Sequence, residues 1–154
     1  MNNRPFLILG GLLRMENLQA FLAQNVVKVE NIKVVVSKRF KDKEGKPVLW
    51  ELTAVTNKED EAIRKECMKR VPDGKGRTKT EMDYSVYLGK LAARCTVYPE
   101  LDNTELQDSY GVMGADALLK TMLTPGEYAD YLTKVQEVNG FDTSYEELVE
   151  DAKN

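Results

Sequence analysis

A chain of 154 residues without a single histidine has to rest any chemistry on carboxylates, Lys, Tyr or Cys. That excludes a Ser-His-Asp or Cys-His nucleophile, a His-ligated zinc and an imidazole acid/base near neutral pH. Cys67 and Cys95 are far apart and each falls within a helical pattern. They form neither a CxxC redox pair nor a zinc knuckle, and they read as small buried hydrophobes in a reducing cytoplasm. The run Asp73-Gly74-Lys75-Gly76-Arg77-Thr78 has the look of a phosphate loop but fails its pattern. No Gly stands five positions before Gly74, and Lys75 is followed by Gly76 rather than Ser or Thr. The carboxylate groups Glu59-Asp60-Glu61 and Glu146-Glu147 sit at helix starts, where the helix dipole accounts for them. The sequence therefore offers no catalytic, cofactor-binding or metal-ligating set, and no cofactor is expected.

Two binding chemistries remain. Lys38, Arg39, Lys41, Lys43 and Lys46 cluster on a hairpin, and basic β-ribbons do bind nucleic acid. Asp42 and Glu44 interrupt the cluster and the chain is acidic overall, so a solvated hairpin tip is the plainer reading. A small nucleic-acid-binding regulator stays as an alternative of another class. The seven tyrosines fall mostly in the second half, and Tyr serves protein interfaces because it joins apolar area to a polar tip. The charges divide as well: residues 1–98 hold 19 Lys/Arg against 12 Asp/Glu, and residues 99–154 hold 3 against 13. Such polarity steers oppositely charged partners and favours weak head-to-tail self-association.

The positioning elements read as a helix-dominated α+β domain with a small antiparallel hairpin. Ile32, Val34, Val36 and Phe40 alternate with polar residues, as do Val48, Trp50, Leu52 and Ala54. Between them Lys41 to Lys46, with Gly45, predicts the turn, and Trp50 falls on the buried face. A helix is expected from Asn57 as N-cap, with a thin stripe of Ala62, Ile63 and Cys67. Val71 to Lys79 reads as a loop leading to an edge strand at 78–82. Asp83 caps a core helix with Tyr84, Leu88, Leu91, Ala92 and Cys95 in register, running to Val97 before Pro99. Asn103 opens a short helix, and Ala115 to Leu123 forms another. Thr124, Pro125 and Glu127 mark the next helix start, and Asn139-Gly140 its end. Its stripe is Tyr128, Tyr131, Leu132, Val135 and Val138.

The ends stand apart. Residues 1–14, MNNRPFLILGGLLR, carry an apolar run too short to span a bilayer, and Gly10-Gly11 with Arg14-Met15-Glu16-Asn17 makes a poor signal peptide. Gly10-Gly11 ahead of Met15 also fits a ribosome-binding sequence translated in frame, with Met15 as the natural start. A helix from Glu16 presents Leu18, Phe21 and Leu22. Residues 15–142 form the principal domain, and 143–154 a C-terminal helical tail whose capping box runs from Ser144 through Tyr145 to Glu147. A partner surface is expected at Leu18, Phe21 and Leu22, or at exposed members of Tyr128, Tyr131 and Tyr145.

SKRFKDKEGKPVLWEL at 37–52, KRV at 69–71 and YPELDNTELQDSYGVMGADALLKTMLTPGEYADYLTKVQEVNGFD at 98–142 resemble the XkdN-like family of phage tail assembly chaperones. The similarity runs from about Met15 to the C-terminus, whereas residues 1–14 depart from the family's usual beginning. The resemblance implies a non-catalytic protein in the cytoplasm of the bacterial host, not secreted and absent from the mature virion. It would bind the tape-measure protein and keep that long, aggregation-prone chain in solution. A longer frameshifted product of such genes would recruit the tail tube protein. A structural tail or baseplate component is the alternative in the same setting. The family has no catalytic motif to carry over.

Overall fold

The structure, a computed structural model, describes residues 17–141. Period-2 alternation produces a three-stranded antiparallel sheet in the order β1 (Ile32–Val34), β2 (Trp50–Leu52), β5 (Thr96–Tyr98). The register sets Ile32 opposite Leu52 and Val34 opposite Trp50, so these four side chains share one face. That face is the core side: Trp50 is 1% and Leu52 0% exposed. The expected hairpin is therefore present, though its regular pairing is short. Beyond β1 it continues through Val48 N–H donating to the Phe40 carbonyl, Asp42 N–H donating to the Lys46 carbonyl and an isolated bridge between Lys41 and Pro47. The Asp42 carboxylate closes the turn by accepting from the Glu44 and Lys46 amides at 2.8 and 3.0 Å.

The third strand departs from expectation. The helix expected to run to Val97 stops at Cys95, and Thr96 to Tyr98 turn into β5 beside β2. β-branched Thr96 and Val97 and an aromatic Tyr98 suit a strand, and Pro99 pushes the residue before it out of the helical region. The segment expected as an edge strand does form, as β4 (Thr78–Met82), but it pairs with β3 (Met68–Pro72) in a separate two-stranded ribbon. The loop expected from Val71 thus begins only at Asp73, and its tip holds Gly74, Lys75 and Gly76 at positive φ.

Among the described residues the sheet is accompanied by five named helices: α1 (Asn57–Glu66), α2 (Tyr84–Cys95), α3 (Thr104–Ser109), α4 (Ala115–Met122) and α5 (Pro125–Val138). The α1 cap is Thr56 rather than Asn57: Thr56 Oγ1 accepts from the Glu59 amide, and the Glu59 carboxylate accepts from the Thr56 amide at 2.8 Å. Asp83 caps α2, Asn103 caps α3, and Thr124 with Glu127 boxes α5, as the sequence predicts. The helix expected from Glu16 reduces, within the described residues, to a single turn at 17–19 followed by tight turns to Asn25. The segment has too little covered apolar surface to offset the cost of nucleating a longer helix.

The core lies where α2, α4 and α5 meet the inner sheet face. Leu91, Ala92, Cys95, Leu118 and Leu119 are fully buried. Phe40, Trp50 and Tyr131 stack in series, with centroids 5.9 and 5.3 Å apart. Tyr84, expected in the core stripe, is 56% exposed; the stripe begins one turn later with Tyr87 at 2%. Asn139, the C-cap of α5, ties the layers together. Its side chain accepts from the Val55 amide at 2.9 Å and donates to Cys95 Sγ and the Val135 carbonyl. Trp50→Ala is expected to cost about 3–5 kcal/mol in chemical denaturation, since the cavity would open between the sheet and α5.

Candidate docking surface

The outer face of the sheet follows from the same alternation. Lys33, Glu51 and Tyr98 are cross-strand partners on it. One step further along, Val35 and Leu49 are 48% and 49% exposed. Asn31 donates to the Glu51 carboxylate at 3.1 Å, the polar end of an otherwise open face. β1 pairs only with β2, so its outer edge keeps unpaired backbone groups among the described residues. Beside that edge runs a groove of about 340 Å³ lined by Val34, Val35, Val36 and, from α5, Asp130, Tyr131, Thr133 and Lys134.

The approach to β1 is apolar too. Val27 and Val29 are exposed, and Leu18 and Phe21 in the first turns stand 57% and 76% exposed. Leu22 is half-buried. The predicted partner residues therefore divide. Leu18 and Phe21 reach solvent. Tyr131 is 1% exposed, its hydroxyl hydrogen-bonded to Thr96 and its phenol pushed well above the usual range by burial, so it serves the core. Tyr128 is half-buried between helices; its hydroxyl has no hydrogen-bond partner and burial raises its pKa. Tyr145 lies outside the described residues. The tyrosines that do face solvent are Tyr84, Tyr98 and Tyr110. Val27 and Val29 were missed, although their alternation with Lys28 and Glu30 continues the strand pattern backwards and could have flagged them.

The titratable groups are built into the scaffold. Burial pushes Asp60 up, but hydrogen bonds from the Tyr87 hydroxyl and from Arg64 Nε at 2.7 Å outweigh it and leave the carboxyl below its ordinary value. Tyr87, desolvated and bonded to Asp60, is pushed up to about 12, while Arg64 lies over its ring at 4.5 Å. The set holds its protons fixed at neutral pH and pins α1 to α2. Burial raises both cysteine thiols, which disfavours the reactive thiolate. Among the described residues no three His, Cys, Asp or Glu side chains gather into a metal site. Arg39, counted in the basic cluster, instead donates to the Met122 carbonyl at 2.8 Å and to both Glu127 oxygens, clamping the hairpin to the start of α5.

This arrangement of an open sheet edge, an apolar approach and a sealed polar scaffold meets a family match. The model for the phage XkdN-like tail assembly chaperone protein covers residues 18–153. The chain belongs to this family. The protein YqbN of Bacillus subtilis (strain 168) is 36% identical over 144 residues, covering 92% of this chain and 95% of YqbN. The phage-like element PBSX protein XkdN of the same strain is 34% identical over 141 residues, 90% and 94% of the two chains. The crystal structure of YqbN superimposes with a TM-score of 0.69 at 31% identity, over 80% of this chain and 95% of that one. YqbN thus shares this α+β architecture, and the tail assembly chaperone family is the setting in which the surfaces of this chain are to be read. Among the described residues no helix is long and apolar enough to cross a membrane.

The Arg39–Glu127 clamp predicts a pH dependence. Arg39 above all holds the Glu127 carboxyl well below its ordinary value of 4.5. A depressed folded-state pKa gives stability that is complete above the ordinary value and is lost as pH falls through the folded one. Glu127→Gln should therefore lower Tm by a few degrees at neutral pH, and the gap to the wild type should close as thermal melts are taken below pH 4.5.

Proposed function

We propose that the protein is a non-catalytic chaperone that binds the tape-measure protein of a phage or prophage tail and keeps it in solution until tube subunits assemble around it. The observation that carries this reading is the unpartnered apolar surface running from Leu18 and Phe21 through Val27 and Val29 to the outer edge of β1. Family membership supplies the setting of tail assembly. A long, largely helical partner can lay its apolar stripe along such a surface, or an extended segment can add to the β1 edge. The action takes place in the cytoplasm of the bacterial host, where tails are built. The tail tube protein is a second partner, recruited through a longer product of the same gene.

The absence of turnover rests on the sealed state of the polar groups. Asp60, Arg64 and Tyr87 are engaged with one another, and the Glu127 carboxylate with Arg39 and the Thr124 amide, so each already serves packing or capping.

Co-expression with the tape-measure protein should hold that chain in the supernatant. A Phe21→Asp, Val27→Asp double variant should weaken co-purification about tenfold or more, with an unchanged melting temperature because both positions are exposed. Equal recovery of the tape-measure protein with and without the chaperone would overturn the reading. Mass spectrometry of purified particles should find the protein absent or strongly depleted; recovery at tail stoichiometry would make it a structural component instead.

A further inference from the structure

Seven of the eleven residues from Val26 to Val36 are Val or Ile, and none is Pro. Such a run favours extended backbone, and an exposed strand edge is ordinarily guarded by proline, a bulge or several charges. Along β1 itself the one charge is Lys33.

β2 fixes which backbone groups of β1 face outward. Val48 N–H donates to the Phe40 carbonyl, toward the first arm of the hairpin, and Thr53 N–H donates to the Cys95 carbonyl on the other side. Backbone groups alternate in direction along a strand, so Trp50 and Leu52 aim theirs at β1, where Val34 and Ile32 stand opposite. Lys33, between those two, therefore turns its N–H and C=O away from β2. Val35, one step on, continues the alternation, and its amide donates to no described residue.

Beside these free groups lies the groove between β1 and α5, with Val34, Val36 and Tyr131 in its floor and Asp130, Thr133 and Lys134 at its rim. A helix laid across this edge would take the Lys33 and Val35 backbone out of water without supplying partners, because its own N–H and C=O groups are already paired. An extended segment supplies those partners and places every second side chain over the groove. Charge adds a preference. Lys33 is in no ion pair among the described residues, and the carboxylate of its cross-strand partner Glu51 accepts from Asn31 at 3.1 Å.

We infer that the client chain binds by strand addition: an extended segment, apolar at alternate positions and carrying a carboxylate opposite Lys33, pairs with the outer edge of β1. The inference rests on the reading that this protein shelters another polypeptide, and it names the form in which that polypeptide is held. Main-chain pairing supplies the attraction whatever the exact sequence, and the groove selects the pattern.

The probe is a capped heptapeptide in which valine alternates with threonine and glutamate, titrated into the isotope-labelled full chain. The Lys33 and Val35 amides should exchange freely in the unbound protein and gain protection when the peptide binds. Val35→Pro removes an outward N–H and should weaken binding about tenfold or more, whereas Val35→Thr, which keeps the N–H, should stay within about twofold. Both variants should keep the wild-type melting temperature, since Val35 is exposed and lies outside the β1–β2 register. Lys33→Glu should weaken binding as well, and a peptide with lysine in place of glutamate should restore it. A peptide that does not bind, or that binds without protecting these amides, overturns the inference. Equal losses from Val35→Pro and Val35→Thr overturn it too, as do amides already protected in the unbound protein by the chain itself or by a second copy. The two readings fail separately. A tape-measure protein kept in solution while the peptide leaves β1 untouched would remove the strand site and leave the client; a peptide that binds as described while the tape-measure protein precipitates would do the reverse.

Discussion

The close approach of three helices at α2 is the constraint on which the rest of the molecule depends. Gly89, Ala92 and Cys95 are small and buried, so α4 and α5 can lie against α2 with little between them. At Gly89 the fit is tight: a β-carbon there would sit 3.2 Å from the Tyr128 hydroxyl and 3.3 Å from Lys120 Cε. With α5 held at that distance, Tyr131 meets Trp50 and the inner face of the sheet is sealed. The Asn139 side chain then links the end of α5 to Val55 and Cys95, and the hairpin is locked at its other end by Arg39. Packing density at one helix thus decides where the sheet can be.

What the core consumes is unavailable to a partner, and this sorts the surface. Aromatic rings at Phe40, Trp50, Tyr87 and Tyr131 are spent on the interior or its rim. Many of the large apolar groups left over gather before and along β1 and, as Val97, Tyr98, Tyr110 and Met113, on either side of α3. Charge sorts the same way: the pairs Arg39–Glu127 and Arg94–Glu59 bind element to element, and the Arg64–Asp60 pair within α1 reaches α2 through the Tyr87 hydroxyl, while among the described residues the ribbon, Lys69 aside, and the acidic residues at 100–108 keep their charges unpaired. A protein whose internal charges are paired and whose peripheral charges mostly are not has its electrostatic interactions directed outward.

Local signals in the sequence were reliable where local physics decides the outcome. The Thr124-Pro125-Glu127 start, the Asp83 and Asn103 caps and the buried side of the hairpin all follow from residues within four positions of one another. Where the partner is distant, the sequence is silent. Thr96 to Tyr98 continues a helical pattern on paper and becomes a strand because β2, over forty positions earlier, offers it an edge. β4 was visible as alternation, but its mate could not be told from the main sheet, since Met68 to Pro72 shows no clean apolar face. The candidate surface was half legible: Leu18 and Phe21 followed from spacing, whereas the burial of Tyr131 depended on Trp50 being opposite.

The order of the strands along the chain has a consequence during synthesis. β1 and β2 leave the ribosome long before β5, and the helix that covers Trp50 comes last of the described elements, ending at Val138. Until then the inner sheet face has no lid, and its greasy side is presented to whatever lies near the exit tunnel. The nascent chain is thus itself in need of shelter for most of its own translation, and it acquires a dry interior only when α5 arrives.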